Sequence, residues 1–183
     1  GRITALTAVL ALAAQDPVAR NYGMTDHTTI AMLSTAVQAF EPRATTLWKN
    51  QSRVTLPDDT SNLSYAYTLL GRCDEALQVQ AESAAYFEPT PRMLMVRIGA
   101  LNELGRRDEI CALATLYLEK LEPAARMMAA EVAASEGNVK LVDALALRAA
   151  SGATEQNEAE AMIALQAMAR LRGGATMDAV KIL

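Results

Sequence analysis

A seven-residue segment that returns after 34 residues constrains this chain more than any other feature. Leu70-Gly71-Arg72-Cys73-Asp74-Glu75-Ala76 reappears as Leu104-Gly105-Arg106-Arg107-Asp108-Glu109-Ile110, and Glu88-Pro89 returns as Glu122-Pro123 at the same offset. A fixed period of this length means that one supersecondary unit is reused, each copy burying its apolar face on the next. Within a copy the glycine ends a first helix, because a residue without Cβ accepts the left-handed backbone of a helix stop at little cost. The acidic pair then opens a second helix, where negative charge suits the positive end of the helix dipole.

Composition points the same way. The chain has 183 residues, 51% hydrophobic and only 4% aromatic, so its core is built from Ala, Leu, Met and Val. Strand formers are scarce and long alternating runs are absent, which predicts an all-α class. The net charge of −4 is mild. No basic stripe with interleaved aromatics occurs, which argues against nucleic acid as a partner. Cys73 and Cys111 are too few for a disulfide framework and are expected to act as compact buried residues; they leave the redox compartment open.

The 34-residue period, the Leu-Gly turn, the acidic helix start and the proline near the unit boundary together resemble the tetratricopeptide repeat. The resemblance implies a right-handed superhelical solenoid of antiparallel helix pairs whose concave groove holds another chain. Residues 1–22 are expected to form an amino-terminal packing helix, and 23–183 about four to five units: 23–57, 58–90, 91–123, 124–157 and 158–183. The first clear unit opens at Asp58-Asp59-Thr60-Ser61, a capping cluster, and carries Leu63, Tyr67 and Leu70 inward, followed by Ala76, Leu77 and Ala84. The next starts at Pro91, a residue suited to a first helical position. It carries Leu94, Ile98, Leu101 and Leu104, then Ile110, Ala114, Tyr117 and Leu121; Ile110 and Ala114 depart from the family's usual small and aromatic choices. Later turns fall at Glu136-Gly137-Asn138 and Arg172-Gly173-Gly174, with an insertion in Ser151-Gly152-Ala153-Thr154. Upstream, 28–40 and 43–56 form a degenerate pair separated by Glu41-Pro42.

Both ends invite expectations. Residues 3–14 form an apolar run ending in Ala11-Leu12-Ala13-Ala14, about a dozen residues against the roughly 20 needed to span a bilayer. They read as a packed helix, or alternatively as a targeting remnant that would place the protein in or beyond a bacterial envelope. With Gly1 in place of methionine, the sequence reads as a piece of a longer polypeptide. Met177-Asp178-Ala179-Val180-Lys181-Ile182-Leu183 keeps apolar positions in phase where a solenoid would close with a polar face, so further chain or a homodimer contact through this carboxyl-terminal repeat should cover it.

Catalytic chemistry has little to draw on. His27 is the single histidine, in Thr25-Asp26-His27-Thr28, where helix capping accounts for it. Asp58-Asp59 and Asp74-Glu75 are adjacent carboxylates at helix starts, which do not converge on one point as acid and base must. Arg172-Gly173-Gly174 lacks the lysine and hydroxyl of a phosphate loop. Arg106-Arg107 is a solvated basic turn or, alternatively, a docking point for an acidic partner. No metal site and no cofactor are expected.

The resemblance places the first helix of each unit on the inner surface. Carried over from the turn glycines, the inner positions are Ser61, Tyr65 and Thr68; Arg92, Met95, Gly99 and Asn102; and Met127, Glu131 and Ala134. Partner contacts are assigned to Tyr65, Thr68, Arg92, Met95, Asn102, Met127 and Glu131, with Tyr65, Arg92 and Asn102 foremost: an aromatic face, a guanidinium fork and an amide can hold a peptide by packing and hydrogen bonds. The lysine and asparagine clamp of chaperone-binding members is absent. The expected function is a non-catalytic protein-interaction adaptor. The alternative is the repeat domain of a longer cell-envelope enzyme or regulator, held in a membrane-associated assembly, with its activity elsewhere; a helical enzyme in its own right is a third reading. Alanine-rich sequence with Arg far outnumbering Lys suits a bacterial protein, and leaves cytoplasm and periplasm both open.

Overall fold

The computed structural model describes residues 56–151 and 156–182, together with Thr35 and Gln38, both helical. The expected helix at 1–22, most of the degenerate pair at 28–56, and His27 lie outside the described residues. Among the described residues all regular structure is helical: α1 (Leu56–Leu69), α2 (Cys73–Ser83), α3 (Pro91–Glu103), α4 (Arg107–Leu116), a 3-10 turn (Leu118–Lys120), α5 (Pro123–Ser135), α6 (Val139–Ala150), α7 (Gln156–Arg172) and α8 (Thr176–Val180). The chain forms two compact units, residues 1–100 and 101–183, with the boundary inside α3.

Four turns share one construction. Gly71, Gly105, Gly137 and Gly174 all have positive φ, between 67° and 83°, and stand 34, 32 and 37 residues apart. In each, the N–H after the glycine bonds the carbonyl five residues back: Arg72 to Tyr67, Arg106 to Leu101, Asn138 to Ala133, and Ala175 to Arg170, at 2.8–2.9 Å. The glycine N–H bonds three residues back, to Thr68, Asn102, Ala134 and Leu171. These paired bonds are the Schellman helix stop, which satisfies carbonyls that the ending helix would otherwise leave bare.

The residue after each glycine also opens the next helix, by varied means. Arg72 Nε donates to Glu75 at 2.8 Å, and Arg106 pairs with Glu109 in the same way; the Arg72 guanidinium also lies 4.5 Å from the centre of the Tyr67 ring. In the third turn Asn138 Oδ1 instead accepts the Leu141 N–H at 3.2 Å, an ordinary side-chain cap.

In the first unit α1 packs on α2, and Leu63, Ala66 and Tyr67 of α1 and Cys73, Ala76 and Val79 of α2 are buried. In the second, α5 contacts α4, α6 and α7, and α7 contacts α5, α6 and α8. Three neighbours around α5 explain its composition: Ala125, Ala129, Ala130, Ala133 and Ala134 are fully buried, and only small side chains leave room for helices on several sides. Ile110 and Ala114 are fully buried as well.

Expected boundaries shift by one or two residues. α1 begins at Leu56 rather than Asp58, and α2 and α4 begin at Cys73 and Arg107, one residue before their acidic pairs. Two expected core residues face solvent. Leu104 lies beyond the last residue of α3, where the chain is already turning into Gly105, and Ala84 lies just past the end of α2. Helical periodicity stops when the helix does, so neither is carried inward.

Candidate functional site

Counting back from the turn glycines places the first-helix stripes. In the first unit Tyr65 and Thr68 of α1 are half-buried, and the Thr68 hydroxyl is turned onto its own helix, donating to the Ser64 carbonyl at 3.0 Å. On α3, Arg92 is exposed and Met95 and Gly99 are half-buried; Asn102, exposed, continues the spacing at the end of that helix. In the second unit Met127 is half-buried and Glu131 exposed on α5.

Two positions of the inner-face mapping are closed. Ser61 is buried within a run in which Thr60, Ser61, Asn62, Leu63 and Ser64 are all buried. Consecutive helical residues point about 100° apart, so such a run is enclosed from more than one side and presents no free face. Ala134 is also buried, and the α5 stripe continues at half-buried Ser135; that one-residue slip moves the side chain by the same 100°.

The 37-residue spacing hides a further stripe. Measured from Gly174, the positions corresponding to Met127, Glu131 and Ala134 are Ala164, Met168 and Leu171 on α7, exposed or half-buried. α5 and α7 pack together, so the second unit carries this register on two adjacent helices. Measuring from Gly174 would find this stripe in the sequence.

A second feature missed by pattern is Arg97. Eight residues before the turn glycines stand Leu63, Arg97, Ala129 and Gln166; Leu63 and Ala129 are fully buried. Arg97 is a half-buried cation at a core register, its Nε enclosed without an acceptor. The hydroxyls of Thr60, Ser61 and Ser64 and the Asn62 Oδ1 are likewise enclosed without hydrogen bonds among the described residues.

The Arg106-Arg107 turn, by contrast, is internally neutralised. Arg106 pairs with Glu109, and Arg107 Nη1 reaches Glu136 Oε1 at 2.9 Å, around a shallow depression of about 340 Å³ lined also by Gly105 and Asp108. Its cations already have carboxylates, which removes the charge an acidic partner would seek there.

Comparison with protein-family models, curated proteins and solved structures gives no match to this chain. Its reading therefore rests on geometry and chemistry. Among the described residues no group of His, Cys, Asp and Glu could hold a metal ion, and no helix is long and apolar enough to cross a membrane.

Neither cysteine forms a disulfide; Cys73 is buried and Cys111 half-buried. Burial pushes the Cys111 thiol above its usual range, and the charges of Glu136 and Asp108 push it further in the same direction. Because the thiolate is the reactive form, Cys111 is expected to react with iodoacetamide at neutral pH more slowly than in the urea-unfolded chain. Its rate should go on rising with pH beyond the ordinary thiol range of about 8.5, where the rate of the unfolded chain levels off. Equal rates for folded and unfolded protein would contradict this.

Proposed function

We propose that this chain is a non-catalytic protein-interaction scaffold, a TPR-like solenoid that holds a protein or peptide segment against the first helices of its units. The observation that carries the reading is the set of four Schellman turns at near-constant spacing. Each fixes the rotation of the helix that it ends, so side chains at one distance from the glycine recur on one helical face. Tyr65, Gly99, Glu131 and Met168, six residues before the four glycines, are all half-buried or exposed.

The character of these faces supports binding over chemistry. They mix an aromatic ring, methionines, an arginine, an amide and a carboxylate. Flexible methionines suit an adaptable apolar contact, and Tyr and Arg are the residue types most able to anchor a partner.

Affinity capture tests the reading. The wild-type chain and a Tyr65→Ala/Arg92→Glu/Asn102→Ala variant of equal helicity are used as bait in lysate of the source cells, with mass spectrometry of what each retains. A protein held by the wild type and lost by the variant is expected; identical captures, or none, contradict it.

A further inference from the structure

Two residues on one stripe of α3 weaken that helix and have no explanation among the described residues. Gly99 lies in its interior, where glycine is less favourable than alanine. A Cβ built on Gly99 would have none of the described residues within 4 Å, so among them no neighbouring side chain or backbone requires the bare position. Arg92 stands in the first turn, where the positive end of the helix dipole disfavours a cation and the turn itself holds no acidic residue. It is exposed, and has no hydrogen bond or ion pair among the described residues. Residues 89–102 contain Arg92 and Arg97 and no carboxylate.

Both costs are recovered by one kind of occupant: a chain whose backbone must come close at Gly99 and whose negative charge meets Arg92. We propose that α3 seats an extended acidic peptide segment, its backbone crossing Gly99 and the carboxylate of an Asp or Glu held by the Arg92 guanidinium. Seven helical residues separate the two contacts, about 10 Å along the axis. An extended chain covers this in about three residues. Half-buried Met95 lies between them and offers apolar contact to the intervening side chain. The inference rests on the first-helix face being the binding face, and adds to it the chemistry and spacing of the occupant.

The test is selection of displayed random decapeptides on the purified chain. Binding of the enriched peptides is then measured on the wild type and on Tyr65→Ala, Arg92→Gln, Gly99→Ala and Met127→Ala variants, each with its melting curve. The enriched peptides are expected to share an acidic residue about three positions from a small one. Arg92→Gln should weaken them by about tenfold or more, the size of a lost charge-assisted hydrogen bond. Replacing the peptide's acid by its amide should weaken binding to the wild type equally and add nothing on Arg92→Gln. Gly99→Ala should raise the melting temperature while also weakening binding about tenfold, a combination that a structural role for the glycine cannot give.

Peptides that depend on Tyr65 or Met127 yet show no acid preference, or that bind Gly99→Ala as well as wild type, overturn the proposal and leave the interaction scaffold standing. A labelled single-stranded oligonucleotide that binds through Arg92 and displaces the peptides also overturns it. No enrichment, or binding indifferent to every one of these substitutions, overturns both readings.

Discussion

Arg126→Ala is expected to destabilise the unit formed by residues 101–183 by about 3–5 kcal/mol, the usual consequence of stranding one charge of a buried pair. Arg126 and Glu158 have side chains only 8% and 9% exposed, with Nη2 and Oε1 3.0 Å apart. Arg126 Nε also donates to Glu158, and Nη1 donates to the Leu121 carbonyl at 3.0 Å. The guanidinium thus ties α5 to α7 and to the segment entering α5. Truncation removes all of these bonds and leaves the Glu158 carboxylate enclosed without its counter-charge. Replacing both partners, as Arg126→Met/Glu158→Leu, should cost far less than either single change, because the desolvation of both ions disappears together with their attraction. Urea unfolding of the four proteins of this cycle measures the difference. Losses from Arg126→Met and Glu158→Leu that simply add up in the double variant would show that the two charges are uncoupled and would contradict this expectation.

The second large effect belongs to a turn. Gly105→Ala is expected to cost about 1–2 kcal/mol, the penalty for a side chain on left-handed backbone, since a Cβ there meets nothing within 4 Å. Gly137→Ala should cost at least about 1 kcal/mol more, from overpacking. Its Cβ would lie 3.3 Å from the Gly173 backbone nitrogen and 3.4 Å from Arg172 atoms. The turn between α5 and α6 sits directly against the turn between α7 and α8, and the bare Cα of Gly137 leaves room for that approach. Denaturant midpoints of the two alanine variants, measured side by side, isolate the contact from the backbone strain they share. Equal losses would mean that the turns can part without cost.

These two sites mark the limit of what is legible in the sequence. Helix stops built from a glycine and its neighbours are local chemistry, and all four turns can be placed from Gly71, Gly105, Gly137 and the Gly173-Gly174 pair. The core residues Leu63, Tyr67, Leu94, Ile98 and Ile110 follow from helical spacing measured from those turns. Leu104 and Ala84 fail because that spacing does not hold past the helix ends. Ser61 fails because enclosure of the first half of α1 depends on what packs around it. The Arg126–Glu158 pair joins residues 32 apart in sequence with no local pattern at all. Nor does periodicity expose Arg97, a cation at a register where its counterparts Leu63 and Ala129 are core residues.

The candidate site divides along the same line. Tyr65, Arg92, Met95, Met127 and Glu131, assigned from the repeat resemblance by counting from the turn glycines, are exposed or half-buried, and the same count from Gly174 reaches the α7 stripe. The competing surface is apolar and lies on second helices: Leu116 ends α4 and Leu147 lies on α6, and they are 72% and 74% exposed.

Photo-crosslinking decides between these faces even when the partner is unidentified. A benzoylphenylalanine is placed singly at Met95, Met127, Leu116 or Leu147 of the chain expressed in its source cells, and covalent adducts are read after irradiation. Discrete adducts of one shared mass from Met95 and Met127, and none from Leu116 or Leu147, are the predicted result. Adducts from Leu116 and Leu147 alone would contradict the account and move the interaction surface to the second helices.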